Sequence, residues 1–210
     1  MGKLNGTQLY GLRKLAATLR MGLNKELKGV TVRKKLALNY VSKESKLTRI
    51  GNKIFSNTFT PYFPSPAYDR FLRGVLSVAS GRPLPVITNF AITPQCPCNC
   101  RHCSFSDRSK KDVLSLNHLK TAISEVQDMG SSVIGLTGEE PLLRNDLEDI
   151  IACIDNRSMP IIFTTGYKLT KNRVRRLKEA GLEIPVISLD PGSRPVPRAL
   201  AGMTNCDTVS

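Results

Sequence analysis

The chain has 210 residues, 40% of them hydrophobic, no tryptophan, and a net charge of +14 from thirty-one Lys and Arg against seventeen Asp and Glu. That length allows one domain with a real core, or one and a half; no apolar run approaches the length of a bilayer span, and Arg13, Lys14 and Arg20 interrupt any signal-peptide core. Four of the six cysteines fall within eight residues, which in a chain without a secretion signal points to a reducing, cytoplasmic setting and bound metal rather than to a disulfide framework.

The positive charge is concentrated at the front. Residues 1–85 carry sixteen Lys and Arg against three Asp and Glu, whereas residues 86–210 are close to balanced. The front region therefore suits an anionic partner, either a membrane surface met through residues 1–45 or a nucleic acid, unless it is simply a solvated basic face. It lacks an evident base-stacking or groove-reading motif, which counts against nucleic acid.

In chain order, residues 7–28 read as an amphipathic helix with Leu9, Leu12, Leu15, Leu19 and Leu23 at steps of three and four. A second helical stretch covers about 31–45, with Val32, Leu36 and Tyr40 beside Arg33, Lys34 and Lys35. A basic amphipathic helix can lie on an anionic bilayer, though more often its apolar face packs on a neighbouring domain. Residues 55–68 are rich in aromatics and prolines and lead into a helix near 66–79, with Ser65 as N-cap and Pro66 in the first turn. Gly81-Arg82-Pro83-Leu84-Pro85 reads as a linker.

From residue 86 the pattern alternates. Strands are expected at 86–93, 132–137, 160–165 and 184–190. Helices are expected from Ser115 to Gly130, over about 146–156, and over about 170–180 ended by Gly181. Such βα spacing predicts a parallel sheet with helices outside, an α/β fold. The domain reading is a basic, mainly helical region at 1–85, a core at 86–190, and an irregular tail at 191–210.

The chemistry falls where such sheets place it, after the C-terminal ends of the strands. The first strand leads into Cys96-Pro97-Cys98-Asn99-Cys100-Arg101-His102-Cys103. The second leads into Gly138-Glu139-Glu140-Pro141, the third into Thr165-Gly166-Tyr167, and the fourth ends in Ser188-Leu189-Asp190. Crowded thiolates repel and oxidise, so they persist when a metal holds them. Three in C-x3-C-x2-C spacing suit a multi-iron cluster with one iron left open better than a single ion. Zinc would require a fourth Cys or His at matching spacing, and His102 is awkwardly adjacent to Cys103. His118 reads as a surface residue, and Arg173, Arg175, Arg176 and Lys178 as a solvated face.

C-x3-C-x2-C after a first strand, followed by the three later rim segments, resembles the radical S-adenosylmethionine (radical SAM) enzymes over roughly residues 86–190. The resemblance implies a partial (βα) TIM-type barrel with about four βα units present. It implies that Cys96, Cys100 and Cys103 bind three irons of a [4Fe–4S] cluster, with Cys98 a spectator, and that SAM occupies the fourth iron. His102 would lie near the adenine, where the family usually has an aromatic residue. Gly138, Glu139 and Glu140 would hold the SAM amino group, with Glu139 standing where the family has a second glycine and Glu140 the closer match to its acidic position. Ser188 and Asp190 would meet the ribose.

The implied activity is reductive SAM cleavage to a 5′-deoxyadenosyl radical, which abstracts hydrogen from a peptide, tetrapyrrole or lipid precursor. A reductant such as flavodoxin or ferredoxin would supply the electron. The family core has about six βα units and this chain ends twenty residues after the fourth strand, so the expectation is the front part of a core barrel. Two other function classes stand beside this one. A non-catalytic iron–sulfur electron-transfer or sensor module would form a cluster without cleaving SAM. A zinc-holding basic nucleic-acid-binding protein would carry zinc and bind in a salt-sensitive way.

Overall fold

The computed structural model describes residues 6–28, 46–98, 103 and 114–188, which fall into two compact units. The second helical stretch expected at 31–45 and the tail at 191–210 lie outside the described residues.

The first unit takes in the chain to Ile87 together with Val126–Val133 and Asn156–Met159. It holds strand β1 (Thr7–Gln8), helix α1 (Gly11–Gly22), a 3₁₀ turn (Lys25–Leu27), strands β2 (Thr48–Ile50) and β3 (Lys53–Phe55), and helix α2 (Pro66–Ala79). The three strands form an antiparallel sheet in the order β1-β2-β3, with Thr7 opposite Arg49 and Arg49 opposite Ile54. The sequence reading places no strand in this region. The missed signal is Gly51-Asn52 between two short β-branched runs, a two-residue hairpin loop that needs the positive φ of 60° found at Gly51.

α1 is shorter than the expected 7–28, because Thr7–Gln8 pairs into the sheet instead. α2 starts where the caps place it. Ser65 Oγ accepts the Tyr68 N–H at 3.1 Å, with Pro66 in the first turn, a cap that stabilises by about 1 kcal/mol.

The core of this unit joins Leu9, Ala17, Met21, Leu27, Leu47, Ile54, Tyr68 and Leu72. Each large apolar side chain among them contributes roughly 1.5–3 kcal/mol by leaving water. Burial, and secondarily the neighbouring Asp69 charge, pushes the Tyr68 phenol up to about 12. Asn24 Nδ2 donates to Asp69 at 2.7 Å and Lys25 pairs with the same carboxylate at 3.2 Å, tying the 3₁₀ turn to α2. A buried hydroxyl chain completes the unit. Gln127 Nε2 donates to Ser158 Oγ at 3.0 Å, Ser158 donates to the Ser131 carbonyl at 2.7 Å, and Ser131 donates to the Val133 carbonyl at 3.0 Å.

The second unit comprises Thr88–Glu125, Ile134–Asp155 and Pro160–Ser210. The alternation read from the sequence appears as β4 (Ile87–Ala91), α3 (Leu116–Met129), β5 (Val133–Thr137), α4 (Leu147–Ala152), β6 (Met159–Thr164), α5 (Lys171–Glu179) and β7 (Ile184–Ile187). The strands make one parallel sheet in the order β4-β5-β6-β7, the α/β arrangement expected. In the β6–β7 pair Ile161 lies opposite Ile184 and Thr164 opposite Ile187. Ile134, Leu136, Ile161 and Ile162 are fully buried, as are Leu147, Ile150 and Ile151 of α4. Near-continuous apolar runs of this kind mark strands covered on both faces.

Gly135 is demanded by packing, since a Cβ there would collide with the Asn89 side chain and approach Phe163 Cε2 to 2.9 Å. α5 is capped by Thr170, whose hydroxyl accepts the Arg173 N–H at 3.2 Å, and it ends at Gly181 with φ 109°. α4 stops earlier than the expected residue 156. Its last turn is closed by the Cys153 N–H, which donates to the Ile150 carbonyl at 3.2 Å, and the Cys153 thiol turns back to the Asp149 carbonyl at 2.9 Å. Among the described residues no helix is long and apolar enough to cross a membrane.

Candidate active site

The C-terminal ends of β4, β5 and β6 are laced together by the segments that follow them. The Ile92 N–H donates to the Thr137 carbonyl at 2.8 Å, the Glu139 N–H to the Thr93 carbonyl at 3.0 Å, and the Glu140 N–H to the Gln95 carbonyl at 2.9 Å. Gly138-Glu139-Glu140 therefore runs beside the residues that enter the cysteine loop. The approach is close enough to require glycine. Gly138 has φ 134°, and a Cβ there would lie 2.6 Å from the Thr93 carbonyl oxygen.

Glu140 is fully buried, and all its neighbours are donors. Its Oε1 accepts the Thr164 hydroxyl at 2.5 Å and the Leu142 N–H at 3.0 Å. Its Oε2 accepts the Thr165 N–H at 2.8 Å and the Thr165 hydroxyl at 2.5 Å. A buried carboxylate is sustained by such a set of donors. Thr164 Oγ1 also accepts the Gly166 N–H at 3.0 Å, and the Ser188 N–H reaches the Thr164 carbonyl at 2.9 Å, so the end of β7 joins the same network.

Glu139 is half-buried, and its backbone N–H is bonded to the segment that leads into the cysteine loop. The Cys96 thiol is pushed up first by burial and further by the charges of Cys98 and Glu139, while the Cys98 N–H donates to Cys96 Sγ at 3.4 Å. Cys103, at the far end of the loop, is half-buried. Cys100, His102 and Asp190 lie outside the described residues. Among the described residues no group of three or more His, Cys, Asp or Glu stands close enough to hold a metal ion.

Arg144 is the site residue that sequence reasoning missed. Its buried guanidinium forks onto Asp146, Nε to Oδ1 at 2.8 Å and Nη2 to Oδ2 at 2.7 Å. The remaining Nη1 donates to the Ile92 carbonyl at 2.7 Å and the Leu114 carbonyl at 2.9 Å. Those two carbonyls flank the cysteine segment, so one side chain ties both ends of that segment together. The Arg144 hydrogen bonds hold the Asp146 carboxyl below the usual carboxylate range.

Arg173 is part of the same support. Its side chain donates to the Arg144 carbonyl at 2.8 Å and pairs with Glu148 at 3.1 Å, and Arg176 pairs with Glu148 at 3.2 Å. The expected solvated face of α5 is thus corrected at Arg173, whose side chain is 16% exposed.

Cys96 and Cys103, both half-buried, lie within the segment whose flanks Arg144 joins, and their thiols suit a thiolate-held cluster. The donor set is sulfur, as iron–sulfur ligation requires.

The family model described as Radical SAM superfamily matches residues 90–208. A probable GTP 3′,8-cyclase of Methanococcus maripaludis is 33% identical over 103 residues, covering 48% of this chain and 35% of that protein. The chain thus spans about a third of the length of that curated relative. Among solved structures, BtrN in complex with AdoMet and 2-DOIA is 24% identical, with a TM-score of 0.43, over 52% of this chain and 47% of that one. Streptococcus suis SuiB bound to precursor peptide SuiA is 16% identical, with a TM-score of 0.47, over 90% of this chain and 44% of that one.

Proposed function

The chain belongs to the radical SAM superfamily, whose family model covers more than half of it, and from that premise we propose that it is an enzyme, or the front part of one, that cleaves SAM reductively and abstracts hydrogen from a substrate. Radical SAM enzymes bind a [4Fe–4S] cluster and SAM. When bound, these supply a one-electron cleavage that delivers a 5′-deoxyadenosyl radical.

The chain's own residues have distinct tasks. Cys96, Cys100 and Cys103 would hold the cluster. Arg144 fixes the two ends of their segment, so the thiolates start from a closed base rather than an open loop. The backbone of Gly138–Glu140 and the carboxylate of Glu139 would receive the SAM ammonium, the one cationic group that such an edge attracts. Glu140, with both oxygens engaged by protein donors, holds the ends of β5 and β6 at a set spacing. Ser188 and Asp190 would bind the ribose hydroxyls, and His102 would flank the adenine. A reductant such as flavodoxin or ferredoxin would deliver the electron in the cytoplasm, with the basic front region held against an anionic membrane surface.

The observation that supports this reading best is the pairing of Gly138-Glu139-Glu140 alongside Thr93 and Gln95, the residues that lead into Cys96. The test is anaerobic reconstitution with iron and sulfide, then dithionite and SAM, with 5′-deoxyadenosine scored by chromatography. Iron and sulfide in equal amounts with deoxyadenosine formation, both lost in Cys96→Ala, is the expected result. A cluster that never cleaves SAM would indicate an electron-transfer or sensor module, and zinc without iron would overturn the reading.

A further inference from the structure

α1 is amphipathic in the sense opposite to the one its leucines suggest. The side chains that enter the core are Ala17 and Met21, 2% and 7% exposed. Leu12, Leu15, Leu19 and Leu23 are instead 82%, 54%, 57% and 80% exposed. At 3.6 residues per turn these four fall within roughly a quarter of the helix circumference, directly opposite Ala17 and Met21. The helix contains no acidic residue. Arg13 and Arg20 lie roughly a quarter turn round from the leucines, and with Arg49 of β2 they line one groove beside Ala16.

A stripe of four solvent-facing leucines is not the surface a water-facing helix presents. Three guanidiniums along its flank add a requirement for anions. We propose that α1 is an interfacial helix that lies in the surface of an anionic phospholipid membrane, with Leu12, Leu15, Leu19 and Leu23 in the acyl boundary and Arg13, Arg20 and Arg49 on lipid phosphates. The proposal deepens the membrane placement given above and is independent of the SAM chemistry.

Two other occupants fit less well. A second copy of this chain docking through the same stripe would bring Arg13 and Arg20 toward their counterparts, with no acid on α1 to pair them. A nucleic acid would engage the guanidiniums but would leave the aliphatic stripe in water. Only a surface with a charged plane above an apolar layer satisfies both features at once.

Flotation of the full chain with vesicles tests this. One set is phosphatidylcholine alone, the other phosphatidylcholine with phosphatidylglycerol. The wild type is expected to float with the anionic vesicles, at least roughly ten-fold more than with the neutral ones, and to be partly released by high salt. Leu15→Glu/Leu19→Glu should abolish flotation. Arg13→Gln/Arg20→Gln should weaken it roughly ten- to thirty-fold, as expected for two cations near an anionic surface. All four positions are exposed, and an unchanged far-ultraviolet dichroism spectrum confirms that each variant folds.

Flotation that ignores lipid charge, survives the leucine double variant or is absent from the wild type overturns the proposal. So does a wild-type dimer dissociated by the leucine variant without any vesicle binding, or RNA binding lost in the arginine variant without flotation. Failure of SAM cleavage would leave flotation untouched, so the two readings fail separately.

Discussion

Arg144 and Asp146 meet as a two-pronged pair, with contacts of 2.8 and 2.7 Å, and the pair leaves Nη1 of the arginine free to hold Ile92 and Leu114. Only a planar fork can serve a carboxylate and two carbonyls together. Arg144→Lys should therefore lose most of this network, destabilising the chain by about 2–4 kcal/mol in urea titration. Iron retained after anaerobic reconstitution should fall with it, because the ends of the cysteine segment are no longer joined.

Asp146 makes part of that stability dependent on acid. Its pKa is lowered in the folded chain, so the carboxylate form is favoured by folding. The contribution is complete above the ordinary aspartate value of about 4 and is lost as the pH falls through the lowered value. Chemical denaturation of wild type and Asp146→Asn between about pH 6 and pH 3 should show the difference between them shrinking towards the acid end. A difference that stays constant across that range would refute the coupling.

The adjacent glutamates should separate when mutated. Glu140→Gln places an amide N–H₂ among the Thr164 and Thr165 donors, and its expected cost is about 2–4 kcal/mol of folding stability. Glu139→Gln should leave the melting temperature within a degree or two while weakening SAM binding roughly ten-fold or more, read by calorimetric titration of the reconstituted protein. The reverse pattern would exchange their roles.

Gly138→Ala probes the close approach of the two loops. The new methyl would press on the Thr93 carbonyl from a backbone with φ 134°. The expected outcome is a loss of about 2–3 kcal/mol, together with a cluster absorption band that bleaches faster in air than that of the wild type.

The sheet was legible in the sequence because each of its signals is local. Alternating blocks, Ser115 at a helix start, and glycines at positions 130 and 181 all act within a few residues. The small antiparallel sheet was not, since strands of two or three residues are too short to show a period. The α1 leucines were legible as a stripe, but periodicity identifies an apolar face without stating what covers it. Here the β1–β2–β3 sheet and α2 selected the narrower Ala17–Met21 face. Arg144 escaped notice because its value comes from Ile92 and Leu114, fifty-two and thirty residues away. Glu140 was legible as a rim carboxylate, but the four donors that surround it come from the end of β6 and the turn at Leu142.

The hydroxyl chain from Gln127 through Ser158 and Ser131 gathers at the N-terminal ends of β5 and β6, whereas every candidate ligand follows a C-terminal end. The two tasks are thus assigned to residues before and after the strands. A descendant could exchange one substrate for another by rewriting the segments after the strands while inheriting the beginnings unchanged. Variation among descendants would then accumulate unevenly along each strand, sparse at its start and dense beyond its end.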